Sequence, residues 1–258
     1  MQNTTMQATT PYTPAITEHD AASIAQLRED LAAANHILAH HEVLDGFGHV
    51  SVRDPRNAAH FLIAQSMAPE LVTPDDILTL DLDCQPVDRD TRKRYLETWI
   101  HSEIYRARPD VKAIVHSHSP SVIPFAASSV RLRPVYHMAG FLGSGAPVFD
   151  IRHCFGCTDM LVRNGEQGKA LADTLGDSDV ALMRGHGFVA TAPTLPAAVY
   201  RAIYTELNAG MQSTAIALGG EVTYLSEEEG KRSTETNLGV MERPWTLWKR
   251  QAAALRHD

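Results

Sequence analysis

The stretch Val111-Lys112-Ala113-Ile114-Val115-His116-Ser117-His118 predicts a β-strand that runs into two histidines. Its apolar residues alternate with the two-residue period of a half-buried strand. On an extended backbone, residues i and i+2 point to the same face, so His116 and His118 present two imidazoles to one point in space. The pair alone fits either two ligands of a metal site or two surface histidines at a strand end. Further ligands must decide between these interpretations.

The composition is that of an ordinary globular protein. The chain has 258 residues, of which 44% are hydrophobic and 21% charged, and this length and composition allow a full core. Its 31 acidic and 23 basic residues give a formal net charge of −8, which argues against a nucleic-acid or anionic-membrane partner. The sequence contains no apolar run of about 18 residues, the length that a membrane span needs.

The two ends of the chain and its cysteines indicate the organisation. Residues 1–18 are rich in Thr and Gln and are predicted to form a disordered tail on a cytoplasmic protein. The sequence has three cysteines, Cys84, Cys154 and Cys157. This small and odd number does not suit a disulfide framework, which fits a reducing compartment. Residues 19–258 are predicted to be one domain with a C-terminal helical extension.

Hydrophobic periodicity predicts alternating helices and strands, which indicates an α/β protein. Helices are predicted over residues 20–41, 92–108, 158–175 and 195–218, with a final amphipathic segment over 244–255. Strands are predicted over residues 49–53, 61–64, 77–82, 111–118 and 180–183, and residues 135–149 are predicted to be a loop followed by a strand. The first three strands are expected to be antiparallel.

Two further residues fit a metal site with the histidine pair. His186 lies between two glycines directly after the buried strand 180–183, where a side chain can face a cleft. Three histidines at strand ends match catalytic metal sites that leave one position open. Glu97, on the predicted helix upstream, reaches the same cleft if that helix and strand 111–118 pack antiparallel. A core histidine and a solvated glutamate are the alternatives.

Four motifs together resemble the signature of the class II aldolase/adducin superfamily. They are Glu97-Thr98-Trp99-Ile100-His101, Arg108-Pro109-Asp110, Val115-His116-Ser117-His118 and His186-Gly187. The resemblance implies a three-layer α/β/α fold with a central, mainly antiparallel sheet, and a homotetramer with active sites between subunits. It also implies one divalent metal ion per subunit on His116, His118 and His186, with Glu97 as acid/base. The donor set leaves zinc, manganese, iron and cobalt open.

The chain departs from the sugar-phosphate aldolases of that superfamily. Those enzymes carry Gly-Asn-Val/Ile-Ser and Thr-Pro-Ser-Gly elements that hold the substrate phosphate. This chain has Gly48-His49-Val50-Ser51 and Ala64-Gln65-Ser66-Met67-Ala68 at the two places. Losing the glycine and gaining bulk removes the close backbone approach that a phosphate needs, so a phosphorylated sugar is disfavoured.

Three stretches resemble the decarboxylase branch of the superfamily instead. They are residues 48–55, residues 65–70 and residues 133–138. This resemblance implies a small aromatic substrate and a non-oxidative decarboxylase of a hydroxylated aromatic or heteroaromatic carboxylic acid, in aromatic compound catabolism. The metal then stabilises a phenolate or enolate while Glu97 supplies a proton.

Five residues are candidates for binding that substrate. His49, Ser66, Tyr136 and His137 are expected to orient the ring, and Arg184 to pair with a second carboxylate. A packing role for Tyr136 and a structural ion pair for Arg184 are the alternatives.

Three other functions fit the same motifs. A retro-aldol lyase would release an aldehyde, an iron-dependent oxygenase would consume dioxygen, and an adducin-like module would bind partners without catalysis. The metal-ligand set argues against the last. The pair Cys154 and Cys157 forms a CxxC without a second one and is not assigned a function. The acidic run 227–229 is expected to lie in solvent.

Overall fold

The computed structural model describes residues 18–254, in which a seven-stranded sheet lies between two layers of helices. The strands are β1 (His49–Arg53), β2 (His60–Ala64), β3 (Ile77–Asp81), β4 (Ala113–Ser117), β5 (Val148–Phe149), β6 (Val180–Met183) and β7 (Gly187–Ala192). The helices are α1 (Glu18–His40), α2 (Thr98–Ala107), α3 (Ile123–Ala126), α4 (Arg152–Phe155), α5 (Gly165–Leu175), α6 (Leu195–Ala217), α7 (Glu227–Leu238) and α8 (Glu242–Ala254). Short 3₁₀ helices occupy Pro69–Leu71, Pro74–Asp76 and His137–Leu142.

The strands lie in the order β3-β2-β1-β4-β7-β6-β5. Each neighbouring pair is antiparallel except β5 and β6, which are parallel. The mainly antiparallel central sheet that the resemblance implied is therefore confirmed. β4, the strand with the histidines, lies between β1 and β7 in the middle of this sheet.

Alternation along β4 divides the core into two layers. Ala113 and Val115 belong to the cluster packed beneath α1, α6 and α8, and Ile114 belongs to the cluster beneath α2 and α5. Because successive side chains of a strand point to opposite faces, His116 lies on the same face as Ile114. The side of the sheet that α2 covers is therefore the side on which a site can form.

Two glycines allow the backbones around the end of β4 to approach closely. A Cβ atom on Gly187 would lie 1.9 Å from the carbonyl oxygen of Ser117. Gly48 has φ +83°, and a Cβ there would lie 2.8 Å from the carbonyl oxygen of His116. No real side chain tolerates the first approach, so the residue after His186 must be glycine for β7 to pair with β4.

The predicted starts of two helices are wrong. The second helix was expected from residue 92 but begins at Thr98, because residues 92–96 contact the segment after β2: Ser66 N–H donates to the carbonyl of Lys93 (2.7 Å) and the hydroxyl of Tyr95 to the carbonyl of Met67 (2.7 Å). The helix expected from residue 158 begins at Gly165, after Asn164 caps it by accepting a hydrogen bond from Gln167 N–H.

Four elements of the described chain were not predicted: the short helices α3 and α4, and the longer elements β7 and α7. β7 is buried over its whole length and pairs with both β4 and β6. The acidic run 227–229 is the first turn of α7, where Ser226 and Glu229 form a capping box. The other predicted strands and helices coincide with observed ones to within about two residues. Apart from Glu18, the predicted tail lies outside the described residues, and the single-domain organisation stays a prediction.

Within residues 18–254, every helix is too short or too polar to cross a bilayer.

A buried line of polar groups joins β1 to α2. His49, Ser51 and Arg53 share one face of β1 and meet His101 and Tyr105, which lie one turn apart on α2. His49 Nδ1 lies 2.6 Å from His101 Nε2, Ser51 Oγ lies 2.6 Å from His101 Nδ1, and Ser51 Oγ lies 2.8 Å from the Tyr105 hydroxyl. The Arg53 guanidinium covers the Tyr105 ring at 4.5 Å. We call His49, His101, Ser51 and Tyr105 the polar chain.

Burial controls the charge of the polar chain. Desolvation lowers the pKa of His101 to about 3 and raises the pKa of Tyr105 above its usual range. Desolvation, with His101 as a second cause, also holds the pKa of His49 well below its ordinary value. The chain is therefore uncharged near neutral pH.

We expect Gly187→Ala to lower the free energy of unfolding by about 2–3 kcal/mol, because the new methyl group forces β7 away from β4. Urea unfolding monitored by circular dichroism measures this. Gly46→Ala is the matched control, since a Cβ there meets nothing within 4 Å; it should change stability by less than about 0.5 kcal/mol. Equal effects of the two substitutions would contradict the close approach.

We expect His101 to make the chelator-treated protein acid-sensitive. Its pKa is about 3 in the folded protein against an ordinary value of 6.5, so between these pH values the unfolded chain binds more protons. Its contribution is complete above pH 6.5 and is lost as the pH falls towards 3, by up to about 1.4 kcal/mol per pH unit. Urea unfolding at pH 7, 6 and 5 should show a shallower loss of stability for His101→Gln than for the wild type. Parallel curves would refute the assignment.

Candidate active site

Three histidine nitrogens converge at one end of β4. His116 Nε2 and His186 Nε2 each lie 3.1 Å from His118 Nε2. His116 is the penultimate residue of β4, His118 follows the strand, and His186 lies in the turn between β6 and β7. The pairing of β4 with β7 thus brings the third histidine, distant in sequence, to the first two.

Two carbonyl groups orient the imidazoles. His116 Nδ1 lies 3.1 Å from the carbonyl oxygen of Phe188, and His186 Nδ1 lies 3.0 Å from that of Met160. A carbonyl only accepts, so each Nδ1 carries the proton and each Nε2 keeps a lone pair. This outer hydrogen bond is the usual companion of a metal-ligating histidine.

The donor set fits a divalent cation. A proton on His118 Nε2 can satisfy only one neighbouring lone pair, whereas one cation satisfies all three nitrogens. Tetrahedral nitrogen ligands of zinc, at ~2.0 Å from the ion, lie about 3.3 Å apart, close to the spacing found here. Among residues 18–254, ligand atoms of Glu97, His116, His118 and His186 lie within 4.8 Å of one another.

Glu97 supplies a carboxylate at the edge of this cluster. It occupies the N-cap position of α2 and is buried. Its Oε1 accepts a hydrogen bond from Val162 N–H (2.9 Å), while Oε2 lies 3.4 Å from His186 Nε2 and 3.7 Å from His116 Nε2. One carboxylate oxygen is thus held by the backbone and the other faces the imidazoles.

Burial favours the neutral form of His116 and His118. Desolvation, followed by the neighbouring His186, lowers the pKa of His118 and holds the pKa of His116 well below its ordinary value. Metal ligation requires neutral imidazole, so this environment prepares the nitrogens for a cation near neutral pH.

A cavity of about 350 Å³ opens beside the cluster, lined by Glu97 and His118 among others. Its walls are largely aromatic and apolar. They include Phe47, His49, Met67, Tyr95, Leu96 and Leu161. The Tyr95 ring lies 4.7 Å from the His49 ring, and the Phe47 ring lies 6.2 Å from the His118 ring.

Two of the five predicted substrate-binding residues, His49 and Ser66, line this cavity. Tyr136 and His137 do not line it. The Tyr136 ring packs against the Tyr204 ring of α6 at 6.0 Å, and the carbonyl of His137 accepts from the Asn237 side chain (3.1 Å). Within one chain they are therefore separate from the cavity.

Arg184 lies beside Asp150 and does not line the cavity. Its Nε lies 2.9 Å from Asp150 Oδ1, and Arg152 contacts the other oxygen of the same carboxylate at 2.7 Å. Hydrogen bonds from Arg152, and then the neighbouring Arg184 guanidinium, hold the pKa of Asp150 well below its usual range. Within one chain, an ion pair thus engages the Nε of the guanidinium proposed for a second substrate carboxylate.

Sequence reasoning missed Phe47, Tyr95, Met160 and Val162. Phe47 lies between two glycines directly before β1, and this exposed aromatic residue in a turn was a usable signal. Tyr95 was placed inside a helix that begins later. Met160 and Val162 act through their backbone groups, which no side-chain pattern reveals.

A second cavity and a pair of cysteines are weaker candidates for a functional site. A cavity of about 500 Å³ lies at the far end of β1 beside Arg53, Lys112 and Trp245. Arg53 and Lys112 donate to backbone carbonyls there, which leaves the walls mainly apolar. Cys154 and Cys157 are free and exposed.

Comparison with known proteins gives relatives with named activities. Decarboxylase tropJ of Talaromyces stipitatus is 37% identical over 239 residues, which cover 84% of this chain and 90% of that protein. The 3,4-dihydroxyphthalate decarboxylase of Arthrobacter keyseri is 28% identical over 246 residues, 90% of this chain and 94% of that protein. The similarity to decarboxylases over nearly the whole length identifies the chain as an enzyme of the lyase class.

The fold and the family agree with these relatives. L-fuculose 1-phosphate aldolase from Glaciozyma antarctica superposes with a TM-score of 0.75 at 22% identity, over 95% of each chain, which is a likeness of fold. The profile of the family described as Class II Aldolase and Adducin N-terminal domain matches residues 29–213. The chain therefore belongs to the class II aldolase and adducin family.

Proposed function

We propose that the protein is a divalent-metal-dependent, non-oxidative decarboxylase of a hydroxylated aromatic or heteroaromatic carboxylic acid. The observation that carries the proposal is the cluster of Glu97, His116, His118 and His186 beside an aromatic-walled cavity. Support comes from the relatives named decarboxylase tropJ and 3,4-dihydroxyphthalate decarboxylase.

The cavity suits one substituted aromatic ring. Its volume of about 350 Å³ exceeds the roughly 150 Å³ that is enough for benzene, leaving room for hydroxyl and carboxyl substituents. Tyr95, Phe47 and Leu161 offer flat and apolar surfaces to such a ring. His49 and Ser66 add polar groups to the same wall.

The residues that would hold the ion, one per subunit, are His116, His118 and His186, with Glu97 beside them. When bound, the ion supplies Lewis-acid stabilisation of negative charge on a substrate oxygen. Zinc, manganese, iron and cobalt all suit these donors.

We assign the proton transfer to Glu97. Decarboxylation breaks the bond between ring carbon and carboxyl carbon, carbon dioxide leaves, and the electron pair stays on the ring carbon. A proton delivered there by the Glu97 carboxyl group completes the reaction. Val162 N–H fixes Oε1, so Oε2 is the oxygen that exchanges the proton.

Side chains around the cavity argue against a phosphorylated substrate. A phosphate is usually held by exposed backbone N–H groups or by basic side chains, but the side chains of His49, Ser66 and Met67 line the cavity from the two segments that would provide them. A non-phosphorylated hydroxy-carbonyl compound and an oxygenase reaction on an aromatic acid remain the alternatives. Their products distinguish them from decarboxylation.

We expect Glu97→Gln to keep its metal while kcat falls by at least about 100-fold, because the amide retains the size of the carboxylate but cannot transfer the proton. Metal content is measured by elemental analysis and turnover by carbon dioxide release from ortho-hydroxylated aromatic mono- and dicarboxylates. Turnover equal to the wild type would remove Glu97 from the mechanism.

Wild-type controls test the reaction class. Release of carbon dioxide should stop with a chelator and return with added metal, without oxygen uptake. Uptake of oxygen would instead support an oxygenase. If no acid releases carbon dioxide and a hydroxy-carbonyl compound yields an aldehyde, the result would support the retro-aldol lyase.

We further propose a homotetramer with active sites between subunits. Leu207 and Met211 are exposed one turn apart on α6, and Leu218 is 81% exposed just after it, an apolar surface that association would cover. His137 is exposed as well. We propose that Tyr136 and His137 complete the cavity of a neighbouring subunit, with Arg184 as a further substrate contact. A cytoplasmic location also stays a prediction.

Mixed oligomers test the shared site. Glu97→Gln and His137→Ala chains should each be nearly inactive, but reassembled together they should regain activity in up to about a quarter of their sites, where an intact Glu97 meets an intact His137. Light scattering should report a tetramer. A monomer, or no recovery in mixed oligomers, would contradict the proposal.

A further inference from the structure

His49 presents one ring nitrogen to the cavity. Its Nδ1 lies 2.6 Å from His101 Nε2. Its Nε2 has no hydrogen-bond partner among residues 18–254, yet it is not among their enclosed unpaired polar atoms, so it opens on the cavity that the ring lines. Whether this nitrogen donates or accepts decides what it can bind.

The polar chain has only two consistent directions. In one, the Tyr105 hydroxyl donates to Ser51, Ser51 to His101 Nδ1, and His101 Nε2–H to His49 Nδ1, which leaves the proton of His49 on Nε2. In the other, His49 Nδ1–H donates to His101 and His101 to Ser51, and either the Ser51 or the Tyr105 hydroxyl donates in the contact between them. Distances alone do not distinguish them.

Hydrogen-bond counting selects the first direction. Tyr105 is 1% exposed, and within the described chain its hydroxyl meets only Ser51. In the second direction one of the two buried hydroxyl hydrogens, that of Tyr105 or that of Ser51, has no acceptor, and a buried unpaired donor is costly. A doubly protonated His49 forces the same unpaired hydrogen. In the first direction every enclosed donor of the polar chain has an acceptor, and the one remaining donor, His49 Nε2–H, faces the cavity.

We propose that the polar chain fixes His49 as the Nε2–H tautomer, so that His49 donates a hydrogen bond to an anionic oxygen of the substrate, a carboxylate or phenolate. His101, Ser51 and Tyr105 are positioning residues that act through His49. The ligand class rests on the proposed function, whereas the tautomer does not.

Strand geometry places this donor where such an oxygen would lie. His49 and His116 are directly paired residues of β1 and β4, and their rings are 5.0 Å apart. An acidic aromatic ligand seated beside the histidine cluster therefore meets the His49 nitrogen next to His116. A lone pair on that nitrogen would repel the oxygen, and an N–H attracts it.

Nitrogen NMR on zinc-loaded protein labelled with ¹⁵N-histidine tests the tautomer directly. The His49 signals are identified by their absence in His49→Gln. We expect a protonated Nε2 and an unprotonated Nδ1. A proton on Nδ1, or on both nitrogens, at pH 7.5 overturns the inference.

Two substitutions test the direction of the chain. Ser51→Ala removes the group that orients His101, so a population of the His49 Nδ1–H tautomer should appear. Tyr105→Phe should keep the Nε2–H tautomer, because the Ser51 hydrogen still needs the acceptor on His101. Ser102→Ala, at a buried serine of α2 outside the chain, is the control and should leave the tautomer unchanged. An unchanged tautomer in Ser51→Ala would show that the chain does not set it.

Binding of 2-hydroxybenzoate tests the donor role. His49→Phe should raise the Kd of the zinc-loaded protein for 2-hydroxybenzoate by about 10- to 100-fold. His49→Gln keeps an N–H donor, so its Kd should stay within about threefold of the wild-type value. Equal losses, or no binding by the wild type, would overturn the ligand assignment. If the tautomer and the binding are as expected but carbon dioxide is not released, the proposed function fails and the inference stands.

Discussion

The positions of the three candidate histidine ligands depend on the central place of β4, which pairs with β1 on one side and with β7 on the other. That pairing sets His49 opposite His116 and brings the turn with His186 to the end of β4. It requires backbones to approach so closely that Gly187 has no room for a Cβ, and it places Gly48 in a conformation that side chains rarely adopt. The glycines beside the histidines are thus a condition of the site's geometry.

The sequence was informative where side chains themselves carry the pattern. The alternation along β4 predicted the shared face of His116 and His118, and three histidines at strand ends predicted the cluster.

Sequence reasoning failed where backbone groups determine the position of a side chain or the start of a helix. Glu97 is an N-cap residue rather than a mid-helix one, because residues 92–96 bond to the segment after β2. The segment before Asn164 is not helical, and its free backbone groups at Met160 and Val162 orient His186 and Glu97. β7 went unpredicted although Phe188, Val189 and Thr191 favour a strand, because it directly follows the turn with His186; pairing on both sides stabilises it.

Burial of polar groups on the α2 face links the stability of the fold to the chemistry of the site. His49, His101 and Ser51 are removed from water, and each is compensated by a hydrogen bond to the next. The imidazoles of His116 and His118 are likewise kept neutral by desolvation. A helix that covered this face with apolar side chains alone would pack as well, but it would leave the His49 ring free to choose either tautomer. Burying the polar chain thus costs desolvation free energy, and in return the cavity wall presents a defined hydrogen-bond donor at His49.

The arrangement also separates the residues that the sheet positions from those that line the cavity. The ligand cluster depends on the central strands, and the same fold occurs in a protein named as a sugar-phosphate aldolase. The cavity wall depends on residues just outside those strands: Phe47 before β1, and Ser66, Met67 and Tyr95 in the two segments that hydrogen-bond to each other. Substituting such residues changes the shape and polarity of the cavity without moving the histidines. Under the proposed function, a cluster that stabilises charge on oxygen can therefore serve cleavage of different carbon–carbon bonds, while the cavity wall determines which ring or chain binds beside it.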